Sequence, residues 1–126
     1  MEIQNKNLNK YEKSWLEKLL SADFPLKKGI FHQINQADII RQYTDYYLSL
    51  QFAGICPTTK ERSEYIGVPI EMRVYLEGSV PIQFLLHVKK GIVSELEIFK
   101  ADSSKINSAL SLDDAEIEIL IDPGWK

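Results

Sequence analysis

Apolar residues alternate with other residues through the segment 68–100, and this alternation restricts the folds that are open to this chain. Apolar residues occupy even positions in three successive segments there: Ile70, Met72, Val74, Leu76, Ile82, Phe84, Leu86, Val88, Ile92, Leu96 and Ile98. Because the side chains of a strand point alternately to its two faces, this spacing predicts three strands that share one apolar face. Such a face has to be covered by a second layer of the protein.

The amino-terminal third contains two segments with helical spacing. Asn9 and Glu12 match the pattern of a capping box, which predicts that a helix begins there. An apolar stripe follows at Tyr11, Trp15, Leu16, Leu19 and Leu20. We expect the charged residues of this segment, Glu12 among them, to lie mostly on the opposite side. Pro25 opens a second apolar pattern that continues to Ile34 and predicts another helix.

Further alternating segments complete the predicted sheet. Residues 37–52 predict a strand, a tight turn and a second strand. Residues 116–121 predict a last strand at an edge of the sheet, where outward glutamates discourage pairing with another chain. We therefore predict a single α+β domain over residues 1–126, in which two N-terminal helices pack on one face of an antiparallel meander sheet of five or six strands.

The turns of the meander decide which residues lie side by side on its odd-numbered face. Keeping the even residues inward predicts three-residue loops at 78–80 and 89–91, with Gly91 in the left-handed conformation of a bulge. The resulting cross-strand rows are Glu71, His87 and Val93, then Arg73, Leu85 and Glu95, then Tyr75, Gln83 and Glu97. These rows place aromatic, aliphatic and charged side chains together.

Charge and cysteine content limit the classes of function. A formal net charge of −3 and a pI near 5.4 argue against sequence-independent nucleic-acid binding, which needs a basic surface, and favour a basic protein partner. The first residues contain no apolar stretch of the kind that inserts into a membrane. Cys56 is the only cysteine, so no internal disulfide forms within the chain. We expect a cytoplasmic protein with no membrane partner.

Residues with catalytic chemistry are few. In the predicted register, His87 and Glu71 could act as a base and its orienting carboxylate, but no nucleophile is near them in sequence. Glu95 and Glu97 share a face, and alternation of this kind is typical of a half-solvated strand. His32, Cys56 and His87 lack the spacing of a zinc motif. The sequence therefore predicts no catalytic residue, no metal site and no cofactor, and favours a protein that is not an enzyme.

The odd-numbered face is the predicted binding surface, because aromatic residues and arginine among charges are typical of protein contacts. Its candidate binding residues are Tyr75, Glu95, Glu97, Arg73 and His87. Three alternatives stay open. The C-terminal strand or the loop over residues 54–65 could fold over this face, the face could join two copies of the chain in a homodimer, or a small enzyme or ligand-binding domain could use a pocket containing His87 and Glu71.

Two motifs resemble those of a group of small bacterial domains of unknown function. The motifs are ADFP at residues 22–25 and ELEIFKADSS at residues 95–104, with Ser103 at the place where a turn glycine is expected. The resemblance covers residues 11–106, and such domains are similar in size and acidity to immunity proteins encoded beside bacterial toxins. It implies a non-catalytic, protein-binding role as an immunity-type inhibitor of a basic toxin domain, and it transfers no catalytic residues.

Overall fold

Two helices precede six strands in the part of the chain that the structure describes. A computed structural model describes residues 2–55 and 65–125. The elements are α1 (Lys10–Leu19), α2 (Lys27–Gln36), β1 (Asp38–Tyr43), β2 (Leu48–Ala53), β3 (Ile66–Tyr75), β4 (Ile82–Lys89), β5 (Ile92–Lys100) and β6 (Glu116–Ile121). All strand pairs are antiparallel. The predicted α+β class and the six antiparallel strands are confirmed, and none of the described helices is long and apolar enough to cross a membrane.

The order of the strands departs from a simple meander. The sheet runs β1-β2-β5-β4-β3-β6, so only β3, β4 and β5 form a meander and β2 pairs with β5. The strand β6 lies at an edge beside β3, as its outward glutamates predict. Residues 101–115 carry the chain from β5 to that edge, and their side chains Ile106 and Leu112 are buried in the core.

From β2 to β5 the inner face of the sheet carries mainly even-numbered residues, as the alternation predicts. Phe84 and Leu96 are fully buried on this same face. On the helical layer, the ring of Trp15 in α1 meets the ring of Phe84 edge to face, with 6.1 Å between their centroids. Trp125 is also buried, and its indole N–H donates to the carbonyl of Pro25 at 2.7 Å. The side chain of Trp125 is therefore part of the core.

The predicted three-residue loop between β4 and β5 is wrong. The turn has two residues, Lys90 and Gly91, with φ of 53° and 80°, which is the pattern of a type I′ hairpin. A two-residue turn reverses the parity of the next strand, and the extra residue Ser94 restores it, because Val88 pairs with Val93 while His87 pairs with Glu95. Val93, instead of the predicted Ile92, is therefore buried beside the turn.

The predicted connection between β3 and β4 is also too short. Pairing ends at Val74 opposite Ile82, so the two strands are joined by residues 76–81 instead of a loop at 78–80 that pairs Glu77 with Pro81. The predicted loop places Leu76 opposite Ile82, so the observed register differs from the predicted one by two residues. Both errors shift the cross-strand rows, although the inward and outward faces are unchanged apart from Ile92 and Val93 beside the β4–β5 turn.

Glu12 lies under the first strand instead of facing solvent as predicted. The predicted capping box is present, since Asn9 and Glu12 exchange hydrogen bonds of 2.9 Å. The Glu12 side chain is fully buried, and its two carboxylate oxygens accept from Nε and Nη2 of Arg41, both at 2.6 Å. The hydroxyl of Tyr43 donates to the same carboxylate at 2.5 Å. One acidic side chain therefore caps α1 and binds α1 to β1.

Replacing Glu12 by Gln should lower the free energy of unfolding by about 2–4 kcal/mol, because the buried ion pair with Arg41 is lost while the shape of the side chain is kept. Urea denaturation followed by circular dichroism measures this change. Glu17→Gln, on the exposed side of the same helix, is the matched control and should change stability by less than about 0.5 kcal/mol. Equal effects of the two variants would contradict this assignment.

The same carboxylate should contribute to acid unfolding. Burial raises the pKa of Glu12, but hydrogen bonds from Arg41 and Tyr43 outweigh that effect and hold it below the ordinary value of 4.5. A pKa that is lower in the folded protein gives stability that is present above pH 4.5 and lost as the pH falls through the folded value. Wild type should therefore lose more stability than Glu12→Gln between about pH 5 and pH 3.

Gln33 connects α2 to the beginning of β5, next to the β4–β5 turn. Its side chain is buried, and its amide nitrogen donates to the carbonyl of Gly91 at 2.9 Å. Its amide oxygen accepts from the backbone N–H of Val93 at 2.8 Å. One side chain thus satisfies a buried donor and a buried acceptor in the irregular part of the β4–β5 hairpin.

Gln33→Ala should lower the free energy of unfolding by about 2–4 kcal/mol, because it leaves the Gly91 carbonyl and the Val93 amide without their partner. Thermal unfolding would report the loss. Gln36→Ala, an exposed glutamine at the end of the same helix, should be close to wild type. If the two alanine variants unfold at the same temperature, Gln33 does not hold α2 on the sheet.

Candidate functional site

The outer face of the sheet, defined as the side turned away from the helices, places polar residues of all six strands in rows. The first row holds Glu118, Arg73, Gln83 and Phe99. The second holds Leu120, Glu71, Leu85, Glu97, Ser49 and Gln42. The third holds His87, Glu95, Gln51 and Ile40. Two groups of polar side chains in contact form on this face, one on β2, β4 and β5, and the other on β3 and β6.

The first group, the His87 cluster, consists of His87, Glu95, Glu97, Tyr47 and Ser49. Nε2 of His87 contacts Oε1 of Glu97 diagonally across the β4–β5 pair. The hydroxyl of Tyr47 donates to Glu97 at 2.5 Å and reaches Glu95 at 3.2 Å, while the hydroxyl of Ser49 donates to Glu95 at 2.5 Å. One ligand atom from each of His87, Glu95 and Glu97 lies within 4.8 Å of the other two. A small cation could contact all three.

Partial burial makes the His87 cluster different from a fully solvated group. The side chains of His87 and Glu97 are 31% and 23% exposed, and Ser49 is buried. Burial raises the pKa of Tyr47 above its ordinary value, and the neighbouring carboxylates of Glu97 and Glu95 raise it further, because an ionised phenol would face two negative charges. Tyr47 therefore remains a hydrogen-bond donor to both carboxylates well above neutral pH.

The second group, the Arg73 cluster, consists of Glu71, Arg73, Tyr75 and Glu118. Arg73 lies 3.3 Å from Glu71 on its own strand and 3.6 Å from Glu118 on β6. The hydroxyl of Tyr75 donates to the same oxygen of Glu118 at 3.3 Å. These are long contacts between exposed or half-exposed groups, so they contribute little to stability and leave the side chains available to a partner.

The structure divides the five predicted binding residues between these two groups. His87, Glu95 and Glu97 lie in the first, and Arg73 and Tyr75 lie in the second. The predicted row that joined His87 to Glu71 is wrong, because Glu95 lies opposite His87 and Leu85 lies opposite Glu71. The register error at the two turns is the reason.

The register therefore removes the cross-strand contact on which a catalytic pair of His87 and Glu71 depended. A cavity of about 610 Å³ opens instead between the β1–β2 turn and the segment after β5. Tyr43, Asp45, Lys100 and Lys105 are among its lining residues, and neither His87 nor Glu71 is. The strand β6 extends the sheet at its edge and does not cover the outer face. The alternative in which the C-terminal strand folds over this face is therefore wrong. Residues 56–64 of the loop predicted over residues 54–65, which include Cys56, lie outside the described residues.

Sequence reasoning missed the two hydroxyl donors of the His87 cluster. Neither Tyr47 nor Ser49 is among the five predicted binding residues. The missing information is the pairing of β2 with β5, which places Ser49 opposite Glu97 and Gln51 opposite Glu95. The paired residues of these strands are more than 40 positions apart in the chain, and no local pattern predicts that they are neighbours.

Together, the fold and this face define a small α+β protein whose antiparallel sheet has a polar, partly acidic outer side. No family model, no curated protein and no solved structure matches this chain.

The raised pKa of Tyr47 gives a test of the cluster geometry. In the wild type, the phenol should titrate above its ordinary value of 10.0, whereas Glu95→Gln/Glu97→Gln should lower its pKa by removing two negative neighbours. NMR of the tyrosine Cζ carbon follows this titration, and the signal missing from Tyr47→Phe identifies the residue. An unchanged titration in the double variant would show that the carboxylates do not contact Tyr47.

Proposed function

We propose that this chain is a non-catalytic protein-binding domain whose outer face binds a basic surface of a partner. The observation that carries the proposal is the charge of that face, where Glu71, Glu95, Glu97, Glu116 and Glu118 lie beside Arg73 and His87. Complementary charge steers association and selects against partners of the wrong sign. Five carboxylates on one side of a sheet therefore favour a partner rich in lysine and arginine.

The apolar residues on the same face support a protein partner in preference to a free ion or a small molecule. Tyr75 and Leu120 are 37% and 38% exposed, and Leu85 and Phe99 are half-buried in the same rows. Aromatic and aliphatic groups surrounded by charges are typical of the centre of a contact surface, where they supply most of the binding energy. Binding at this face would cover both kinds of group at once.

The resemblance to small acidic bacterial domains supports a particular form of this function. We infer an immunity-type inhibitor that acts in the cytoplasm and binds a basic toxin domain. An inhibitor of this type needs no catalytic residues, since occupying the partner's surface is sufficient. A fold with a helix-covered face and an open polar face suits that task, because the contact residues stand on paired strands and do not need to be ordered on binding.

Affinity capture from an extract of the native cells tests the proposal. The bait is the full chain, either wild type or Glu95→Gln/Glu97→Gln, and the captured proteins are identified by mass spectrometry. We expect a basic protein on the wild-type bait that the double variant loses at least about tenfold, because two desolvated carboxylates lose their charge. Raising the salt concentration should release the same protein, since screening weakens contacts between exposed charges.

A charge-matched control keeps this experiment specific. Glu17→Gln/Asp23→Asn also removes two negative charges, but from the helical side, and this variant should capture the partner as wild type does. Tyr75→Ala tests the aromatic contact separately. Equal capture by all baits, or a captured partner that is acidic, contradicts the proposed function. A wild-type dimer in light scattering that the outer-face variant dissociates would instead assign this face to a homodimer.

A further inference from the structure

The His87 cluster combines two kinds of metal ligand. His87 presents Nε2, and Glu95 and Glu97 each present a carboxylate oxygen, with all three atoms within 4.8 Å of one another. Ligand atoms of a tetrahedral zinc ion bonded at about 2.1 Å lie about 3.4 Å apart, so small rotations of the two glutamate side chains would bring the three atoms to one ion. The imidazole separates this group from an ordinary cluster of surface carboxylates.

The surroundings of these three side chains resemble the outer shell of a metal site. Tyr47 and Ser49 donate to the two carboxylates, which fixes their orientation in the way that outer hydrogen bonds orient metal ligands. Among the described residues, His87 is the only ion-pair partner of either carboxylate, while Arg73 is engaged by Glu71 and Glu118. The two negative charges are therefore held together with hydroxyl donors and a single imidazole around them.

We propose that His87, Glu95 and Glu97 form a binding site for a first-row divalent cation, and that zinc is the ion that suits this donor set best. Imidazole nitrogen favours zinc over calcium and magnesium, which prefer oxygen ligands alone. Three protein ligands leave at least one position of the ion open to water or to a group of a partner. The three ligand residues lie on the paired strands β4 and β5. This metal site is independent of the proposed protein partner.

Isothermal titration of zinc chloride into the purified chain tests the site. The parent carries Cys56→Ser, because a thiolate is itself a strong zinc ligand, and the wild type is titrated beside it. We expect one ion per chain with a dissociation constant of about 1–10 μM, as suits three ligands with one imidazole. His87→Gln and Glu97→Gln should each weaken binding at least about tenfold, and calcium should bind more weakly than zinc.

His32→Gln is the matched control, since His32 is exposed on α2 and lies outside the cluster. It should bind zinc as its parent does. Circular dichroism establishes that each variant is folded, and zinc should raise the unfolding temperature of the parent but not of His87→Gln. The proposal is overturned by a folded parent that binds no zinc below about 1 mM, by unchanged affinity in both His87→Gln and Glu97→Gln, or by equal losses in His32→Gln.

Discussion

The β4–β5 hairpin has to bury Leu86 and Leu96 on one face while it turns in only two residues. A type I′ turn at Lys90 and Gly91 matches the twist of the strands, but it shifts the pairing by one residue. The bulge at Ser94 resolves the conflict, and it also moves the outward residues of β5 along β4. His87 consequently lies opposite Glu95 and within reach of Glu97. The geometry of the candidate site is therefore a consequence of how the core is packed.

The sequence predicts the faces of this sheet much better than its rows. Faces depend on a period of two, which Phe84 and Leu96 show without knowledge of any partner strand. Rows depend on where each turn begins, and either a two-residue turn with a bulge or a three-residue turn keeps Leu96 and Ile98 inward. The three-residue loop predicted at 89–91 places His87 beside Val93, and the loop predicted at 78–80 places it beside Glu71. Nothing local to Lys90 and Gly91 distinguishes the two solutions.

Buried polar contacts were beyond prediction for a related reason. Glu12 satisfies the pattern of a capping box, and that local role gives no sign that Arg41 approaches from a strand 29 residues away. Gln33 likewise reads as a polar position on a helix, although it bonds the backbone on both sides of Ile92. Burial of such groups is favourable only when their partners are in place, and those partners come from the tertiary fold. Polar residues on a helical stripe can therefore belong to the core.

The chemistry of the outer face comes from holding Glu95 and Glu97 close together. Two like charges about 4 Å apart repel by about 1 kcal/mol in bulk water and about 4 kcal/mol at the effective dielectric of a protein surface. Here the hydroxyls of Tyr47 and Ser49 and the imidazole of His87 offset that repulsion through their contacts with the two carboxylates. An incoming positive charge can remove the repulsion more completely. That charge could come from a lysine or arginine of a basic partner, or from a divalent cation. His87 distinguishes these two sources, because its nitrogen can bind a metal ion but gains little from an ammonium group.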